Sequence, residues 1–302
     1  MISPPFIKSG SKIRIVSPAG KVERKYVLPA VDWLKKQGYK VELGKHVFAQ
    51  YFQFAGTDEQ RLEDLQIAFD DPECDAIICS RGGYGTVRII DQLDFAKFQK
   101  NPRWLVGYSD ITTLHSAINK LGIASIHGSM PPFFLNDLGE ANENLKSVIN
   151  ILNGKSVHYK IETNNFNRKG NSTGELIGGN LSIITSLLGT EYELITKGKI
   201  LFIEEIDEYL YHIDRMMHQL KLAGDLKNLI GLVVGDFTNS KDNDSPFGQT
   251  VEEIIMESVK GYNFPVCFGF PAGHEKINLA LAYGRNWELD VFKNGVSINL
   301  EL

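Results

Sequence analysis

The chain has 302 residues, 43% of them hydrophobic and 23% charged, with a formal net charge of -5. That length exceeds what one hydrophobic core organises, so two domains are expected. The apolar content excludes a disordered or collagen-like chain, and the mild negative charge argues against a nucleic-acid partner, whose phosphates call for clustered cations.

No apolar run reaches the roughly 18–20 residues that a membrane span requires, so no membrane association is expected. The segment Met1-Ile2-Ser3-Pro4-Pro5-Phe6 lacks the charged and apolar regions of a secretory signal. Three cysteines, Cys74, Cys79 and Cys267, have no metal-ligand spacing and read as small buried apolar residues. Together these features point to the reducing cytoplasm and to a site without metal.

In chain order, Ile13-Arg14-Ile15-Val16 reads as a strand, and residues 26–36 place Val27, Leu28, Val31 and Leu34 at helical spacing. Thr57 and Gln60 form a capping box for a helix carrying Leu62, Leu65, Ile67 and Phe69. Ala76-Ile77-Ile78-Cys79 and Trp104-Leu105-Val106-Gly107 are continuous apolar runs, the pattern of strands buried on both faces, and residues 111–121 look helical. Strands alternating with helices predict an α/β fold with a doubly wound, mostly parallel sheet. Residues 164–171 are polar and weakly periodic, the composition of a connection. Beyond them, residues 200–203, 232–234 and 266–268 read as strands, residues 213–222 as a helix with Met216, Met217 and Leu220 inward, and the chain ends in a hairpin around Asn294-Gly295. The expected division is an N-terminal domain over 1–150, a connection over 151–174 and a smaller α/β domain over 175–302.

Ligands meet parallel sheets at the carboxyl ends of strands, so the residues after each apolar run are the candidates for chemistry. Ser80-Arg81-Gly82-Gly83-Tyr84-Gly85 is either a tight structural turn or a nest of N–H groups for an anion or oxyanion; it lacks the Lys-Ser/Thr of a phosphate loop. Gly107-Tyr108-Ser109-Asp110 sits between a strand and a helix, as a nucleophile elbow does, although the second glycine of that motif is Ile111. The alternative is that Ser109 or Asp110 caps the next helix. A serine hydroxyl needs a base that is itself oriented by a third group. His274 follows the run 266–270 on a glycine-bearing turn; His115 and His127 fall within elements, and His46, His158, His212 and His218 lie in polar or helical surroundings. Glu204 directly follows the run 200–203, and Glu205 would point to the opposite face of an extended backbone.

Six ordered blocks then carry a family resemblance: residues 81–85, 107–112, 178–182, 201–205, 211–216 and Gly269-Phe270-Pro271-Ala272-Gly273-His274. The chain resembles the LD-carboxypeptidases (muramoyltetrapeptide carboxypeptidases), serine peptidases whose family also includes the microcin C self-immunity peptidases. The resemblance implies a catalytic triad of Ser109, His274 and Glu204, with oxyanion-binding N–H groups at Gly83 and Asp110. It implies that the first domain carries the nucleophile and the second the acid and base. No metal or organic cofactor is implied. The implied substrate is a small peptide, a murein tetrapeptide cleaved at the L,D bond before its C-terminal D-alanine, in cell-wall recycling. The implied assembly is a homodimer. His212 and Ser129 stand where the family usually has Arg and Pro. Microcin C-type peptide cleavage is the alternative that keeps the triad, and a non-catalytic two-lobed small-ligand-binding protein is the alternative without it. A carboxypeptidase also needs a cation for the substrate carboxylate, for which Arg81, Arg88 and Arg285 qualify by residue type.

Overall fold

The computed structural model describes all residues, Met1–Leu302. The strands are β1 (Lys12–Val16), β2 (Lys40–Leu43), β3 (Cys74–Cys79), β4 (Trp104–Gly107), β5 (Ser125–His127), β6 (Val157–Ile161) and β7 (Gly170–Asn180). They continue as β8 (Ile200–Ile206), β9 (Gly231–Thr238), β10 (Val266–Phe268), β11 (Leu281–Tyr283), β12 (Asn286–Phe292) and β13 (Gly295–Leu300). The helices are α1 (Arg24–Lys36), α2 (Asp58–Asp70), α3 (Ala96–Lys100), α4 (Thr112–Lys120), α5 (Glu143–Leu152), α6 (Leu181–Ser186), α7 (Leu210–Ala223) and α8 (Val251–Ser258). No helix is long and apolar enough to cross a membrane.

The chain divides into two units, Met1–Lys155 with Leu279–Gly284, and Ser156–Asn278 with Arg285–Leu302. The first unit is built on a sheet of order β11-β5-β4-β3-β1-β2 in which β1 to β5 run parallel and β11 is antiparallel to β5. Its central strands carry no polar face, as expected of strands covered on both sides: Ala76, Ile77, Ile78, Leu105 and Val106 are fully buried. Helix α1 turns Val27, Ala30, Val31 and Leu34 inward. Helix α2 begins with the capping box read from the sequence, Thr57 with Gln60. Its buried face is Leu65, Ala68, Phe69 and Arg61, whereas Ile67 is exposed, since it lies off the stripe that Leu65 and Phe69 define.

The second unit holds a seven-stranded sheet of order β10-β9-β8-β7-β12-β13-β6. Strands β7 to β10 are parallel, and β12, β13 and β6 extend the sheet antiparallel. Ile177, Leu201, Ile203, Leu232 and Val234 form one side of its core, packed with Ile213, Met216, Met217 and Leu220 of α7 and Ile254 and Ile255 of α8.

Two boundaries differ from the sequence expectation. Residues 151–174 are not a plain connection: they hold the end of α5, the whole of β6 and the start of β7. Strand β6, at the sheet margin, alternates exposed residues with ones that are half-buried after the buried Val157, and the first half of β7 is polar, so neither carries the apolar run of a covered strand. Residues 279–284 return to the first unit as β11, paired to β5 from Leu281↔His127 to Tyr283↔Ser125.

Candidate active site

In the first unit β3 and β4 run side by side, with Ile78 opposite Val106, so the loops leaving their carboxyl ends are neighbours. Ser109, two residues beyond β4, has φ 64°, a left-handed conformation that costs a non-glycine residue energy. It opens a 3-10 turn over Ser109–Ile111 that runs into α4, and no side-chain hydrogen bond caps either segment. Ser109 therefore does not act as a helix cap; its strained turn presents the hydroxyl in the manner of a nucleophile elbow. The loop after β3 passes directly against it. A Cβ on Gly82 would lie 2.9 Å from Ser109 Cβ and 3.2 Å from its Oγ, so only glycine lets the loop approach this closely. Gly83 follows with φ 100°.

Asp110 is buried and locks the two loops together: Thr86 donates to it through its backbone N–H and its hydroxyl, each at 2.9 Å to Oδ2, and the same hydroxyl lies 2.7 Å from the Asp110 carbonyl. Burial pushes the Asp110 carboxyl above the usual carboxylate range. His115, in α4, is fully enclosed. Its Nε2–H donates to the Gly107 carbonyl at 2.9 Å, and Nδ1 accepts from Ser125 Oγ at 2.8 Å. Burial pushes its pKa down to about 4, so the ring stays neutral and braces the elbow.

In the second unit Glu204, on β8, is completely buried. His274 Nδ1–H donates to Glu204 Oε2 at 2.7 Å. That bond fixes the tautomer, so a neutral ring carries its lone pair at Nε2. The Oε1 oxygen of Glu204 has no hydrogen-bond partner, so the imidazole is the group that offsets its buried charge. Burial opposes the charged form of His274, but the bonded Glu204 carboxylate, with Glu205 and Asp236 nearby, outweighs it and raises the pKa above 6.5. Glu205 points the other way, as an adjacent strand residue must. It accepts from Asn180 Nδ2 at 2.9 Å and from the backbone N–H and hydroxyl of Ser182 at 2.7 and 2.6 Å, tying β8 to the start of α6. Burial raises its pKa in spite of these donors.

The turn carrying His274 is pinned to β9, where the Asp236 N–H donates to the Ala272 carbonyl at 2.9 Å. A Cβ on Gly273, whose φ is 143°, would lie 3.2 Å from Glu204 Oε2 and 3.3 Å from Asp236 Oδ2. Asp236 is thus a second carboxylate beside the Glu204–His274 pair, and sequence reasoning did not single it out. Its Oδ2 has no hydrogen-bond partner. Burial first, then the Glu275 carboxylate, pushes its pKa up to about 7. The strand-end rule could have found it after Leu232-Val233-Val234-Gly235. However, β9 carries one extra residue opposite Ile203–Glu205, and that irregularity breaks the alternation from which a side chain's face is read.

The structure thus sets Ser109, Asp110 and the Gly82-Gly83 turn together in one unit and joins Glu204 to His274 in the other. The three cysteines offer no rival nucleophile: all are free and buried, and burial raises Cys74 to about 11 and Cys267 to about 12.

Comparison with known proteins bears on the same segments. A family profile described as LD-carboxypeptidase N-terminal domain matches residues 13–128, and one described as LD-carboxypeptidase C-terminal domain matches residues 173–289. The chain is 36% identical to the "Probable murein peptide carboxypeptidase" of Bacillus subtilis (strain 168), over 93% of this chain and 89% of that protein. It is 32% identical to the murein tetrapeptide carboxypeptidase of Pseudomonas aeruginosa, over 92% of this chain and 93% of that one. Among solved structures it is similar to muramoyltetrapeptide carboxypeptidase from Oxalobacter formigenes, with a TM-score of 0.86 at 29% identity, covering 97% of this chain and 99% of that one.

Proposed function

The chain belongs to the LD-carboxypeptidase family and is a peptide hydrolase of the serine carboxypeptidase type; from that premise we propose that it removes the C-terminal D-alanine of murein tetrapeptides by cleaving the L,D bond before it. Ser109 is the nucleophile, His274 the general base and Glu204 the carboxylate that orients the base. The observation that carries this reading is the buried Glu204–His274 hydrogen bond of 2.7 Å, which fixes the tautomer a base requires.

In this reading His274 Nε2 takes the proton of the Ser109 hydroxyl as its oxygen attacks the scissile carbonyl carbon. The N–H groups of Gly83 and Asp110 stabilise the oxyanion, a contribution of about 3–4 kcal/mol per donor in comparable sites. The imidazolium, held by Glu204, returns the proton to the departing amine as the C–N bond breaks. Water, deprotonated by the same imidazole, then releases the acyl group from Ser109. The first unit supplies the nucleophile, and the second supplies the acid and base. A cytoplasmic location fits three cysteines that are all unpaired, and a homodimer belongs to the same reading through the family.

The test is mass spectrometry of purified protein incubated with a murein tetrapeptide. The expected product is the tripeptide with free D-alanine, and Ser109→Ala should lower turnover by about 10⁴- to 10⁶-fold with the fold intact. A Ser109→Ala protein that turns over near the wild-type rate would remove this serine from the mechanism. Cleavage of an aminoacyl-nucleotide in preference to the tetrapeptide would point to the microcin-type substrate.

A further inference from the structure

A cavity of about 800 Å³ opens in the first unit, lined by Lys21, Val22, Glu23, Tyr26, Arg81 and Phe133 among others. Arg81 is exposed, and its Nη1 donates to the Lys21 carbonyl at 2.8 Å; it meets no carboxylate. The other cations around this loop are already matched. Arg88 holds Asp58 through Nε at 3.0 Å and Nη2 at 2.6 Å, and buried Arg61 also bonds Asp58. Lys21, on the same wall as Arg81, likewise has no acidic partner, while the cavity's own acid, Glu23, is engaged by Lys25 at 3.0 Å. The cavity therefore presents two uncompensated positive charges together with the half-exposed aromatic rings of Tyr26 and Phe133.

The position of these charges is set by the loop that faces Ser109. Arg81 directly precedes Gly82, and the Gly82 carbonyl accepts from the Gly20 N–H at 2.9 Å, which fastens the Lys21 turn to the same loop. In a carboxypeptidase substrate the terminal carboxylate lies three bonds from the attacked carbonyl carbon, within about 4 Å. Its counter-ion must therefore come from residues next to the oxyanion-binding loop, and a guanidinium is the side chain best shaped to grip a carboxylate with two parallel bonds.

We infer that Arg81, assisted by Lys21, binds the carboxylate of the departing C-terminal residue, with Tyr26 and Phe133 walling its alkyl part. This rests on the peptidase reading and names the groups that make it a carboxypeptidase. It also separates the two arginines of the first unit that residue type left level: Arg88 is occupied by Asp58, and Arg81 meets no carboxylate.

The test measures binding by calorimetry with turnover blocked by Ser109→Ala, comparing a murein tetrapeptide with its C-terminal amide. The free acid should bind about ten- to a hundredfold more tightly than the amide, the range expected for a hydrogen-bonded charge. Adding Arg81→Gln should reduce that preference to less than about threefold, and adding Lys21→Gln should reduce it in part. Full discrimination retained in the Arg81→Gln protein overturns the inference, as does equal affinity for acid and amide, or no binding of either, before Arg81 is changed. Because Arg81 is exposed, circular dichroism should show each variant folded. Hydrolysis that persists in the Ser109→Ala protein would overturn the nucleophile assignment while leaving the acid-amide comparison to report on Arg81.

Discussion

An imidazole accepts a proton only when neutral, so with His274 as the proposed base its raised pKa should set the acid side of the activity profile. The ring is bonded by Glu204 of β8, with Asp236 of β9 beside that pair and Glu275 next in the chain, and Glu205, although turned to the other side of β8, adds its negative charge nearby. With the folded pKa above 6.5, kcat/KM should decline as pH falls through an inflection on the alkaline side of that value. Glu204→Gln removes the charge of the bonded carboxylate and should do two things together: lower kcat/KM by about 10²- to 10⁴-fold, and move the inflection to lower pH. Rate measurements from pH 5 to 9 on both proteins check this. An unmoved inflection would mean that Glu204 does not govern the base.

At the level of elements, the features legible in the sequence are those whose signal is local. The Thr57–Gln60 capping box appears with both of its hydrogen bonds, and the final hairpin turns at Asn294-Gly295, with Phe292 opposite Gly295. The apolar runs that became β3 and β4 also placed Ser109 just beyond a strand end. Strand β8, by contrast, continues past the apolar run 200–203 to Ile206, so Glu204 lies within the strand rather than after it, because Glu204 and Glu205 are buried and the strand keeps pairing with β9. Strand β6 escaped because a marginal strand needs no continuous apolar run. The bond between Glu204 and His274 joins residues 70 apart, and nothing local in the chain encodes it. It depends on the turn at Ala272 being pinned to the irregular end of β9, where sequence alternation no longer tells which way Asp236 points. The elbow itself is a two-loop device, and Gly82 is where the loops meet. Gly82→Ala places a methyl 2.9 Å from Ser109 Cβ. The loop must shift, so kcat/KM should fall by about 100-fold, while stability drops by only about 1–3 kcal/mol. Parallel kinetics and thermal melts distinguish this from a merely structural glycine, for which activity per folded molecule would be unchanged.

Across the whole molecule, the chain's route matters more than its two-part composition. The first unit is not a continuous segment, because the chain that leaves His274 supplies β11 to the first sheet before returning to the second. Leu281, Ala282 and Tyr283 are buried against β5, where Tyr283 packs its ring edge-on to His115 at 5.3 Å and tilted against His127 at 5.8 Å. A fragment ending at Lys155 would lose this strand. It would leave the N–H and C=O groups of β5 that face β11 unpaired at the end of a sheet of strongly apolar strands, and such an uncovered edge invites pairing between copies. Each large buried side chain lost contributes about 1.5–3 kcal/mol, a serious fraction of a domain's margin. Residues 1–155 expressed alone should therefore aggregate or unfold at temperatures where the full chain is stable, even though most of the parallel sheet lies within them. Appending residues 279–284 through a flexible linker should recover a soluble, cooperatively melting species by supplying β11. Size-exclusion chromatography and thermal circular dichroism of the two fragments decide the matter: equal behaviour with and without the appended strand would show that β11 is dispensable to the first unit.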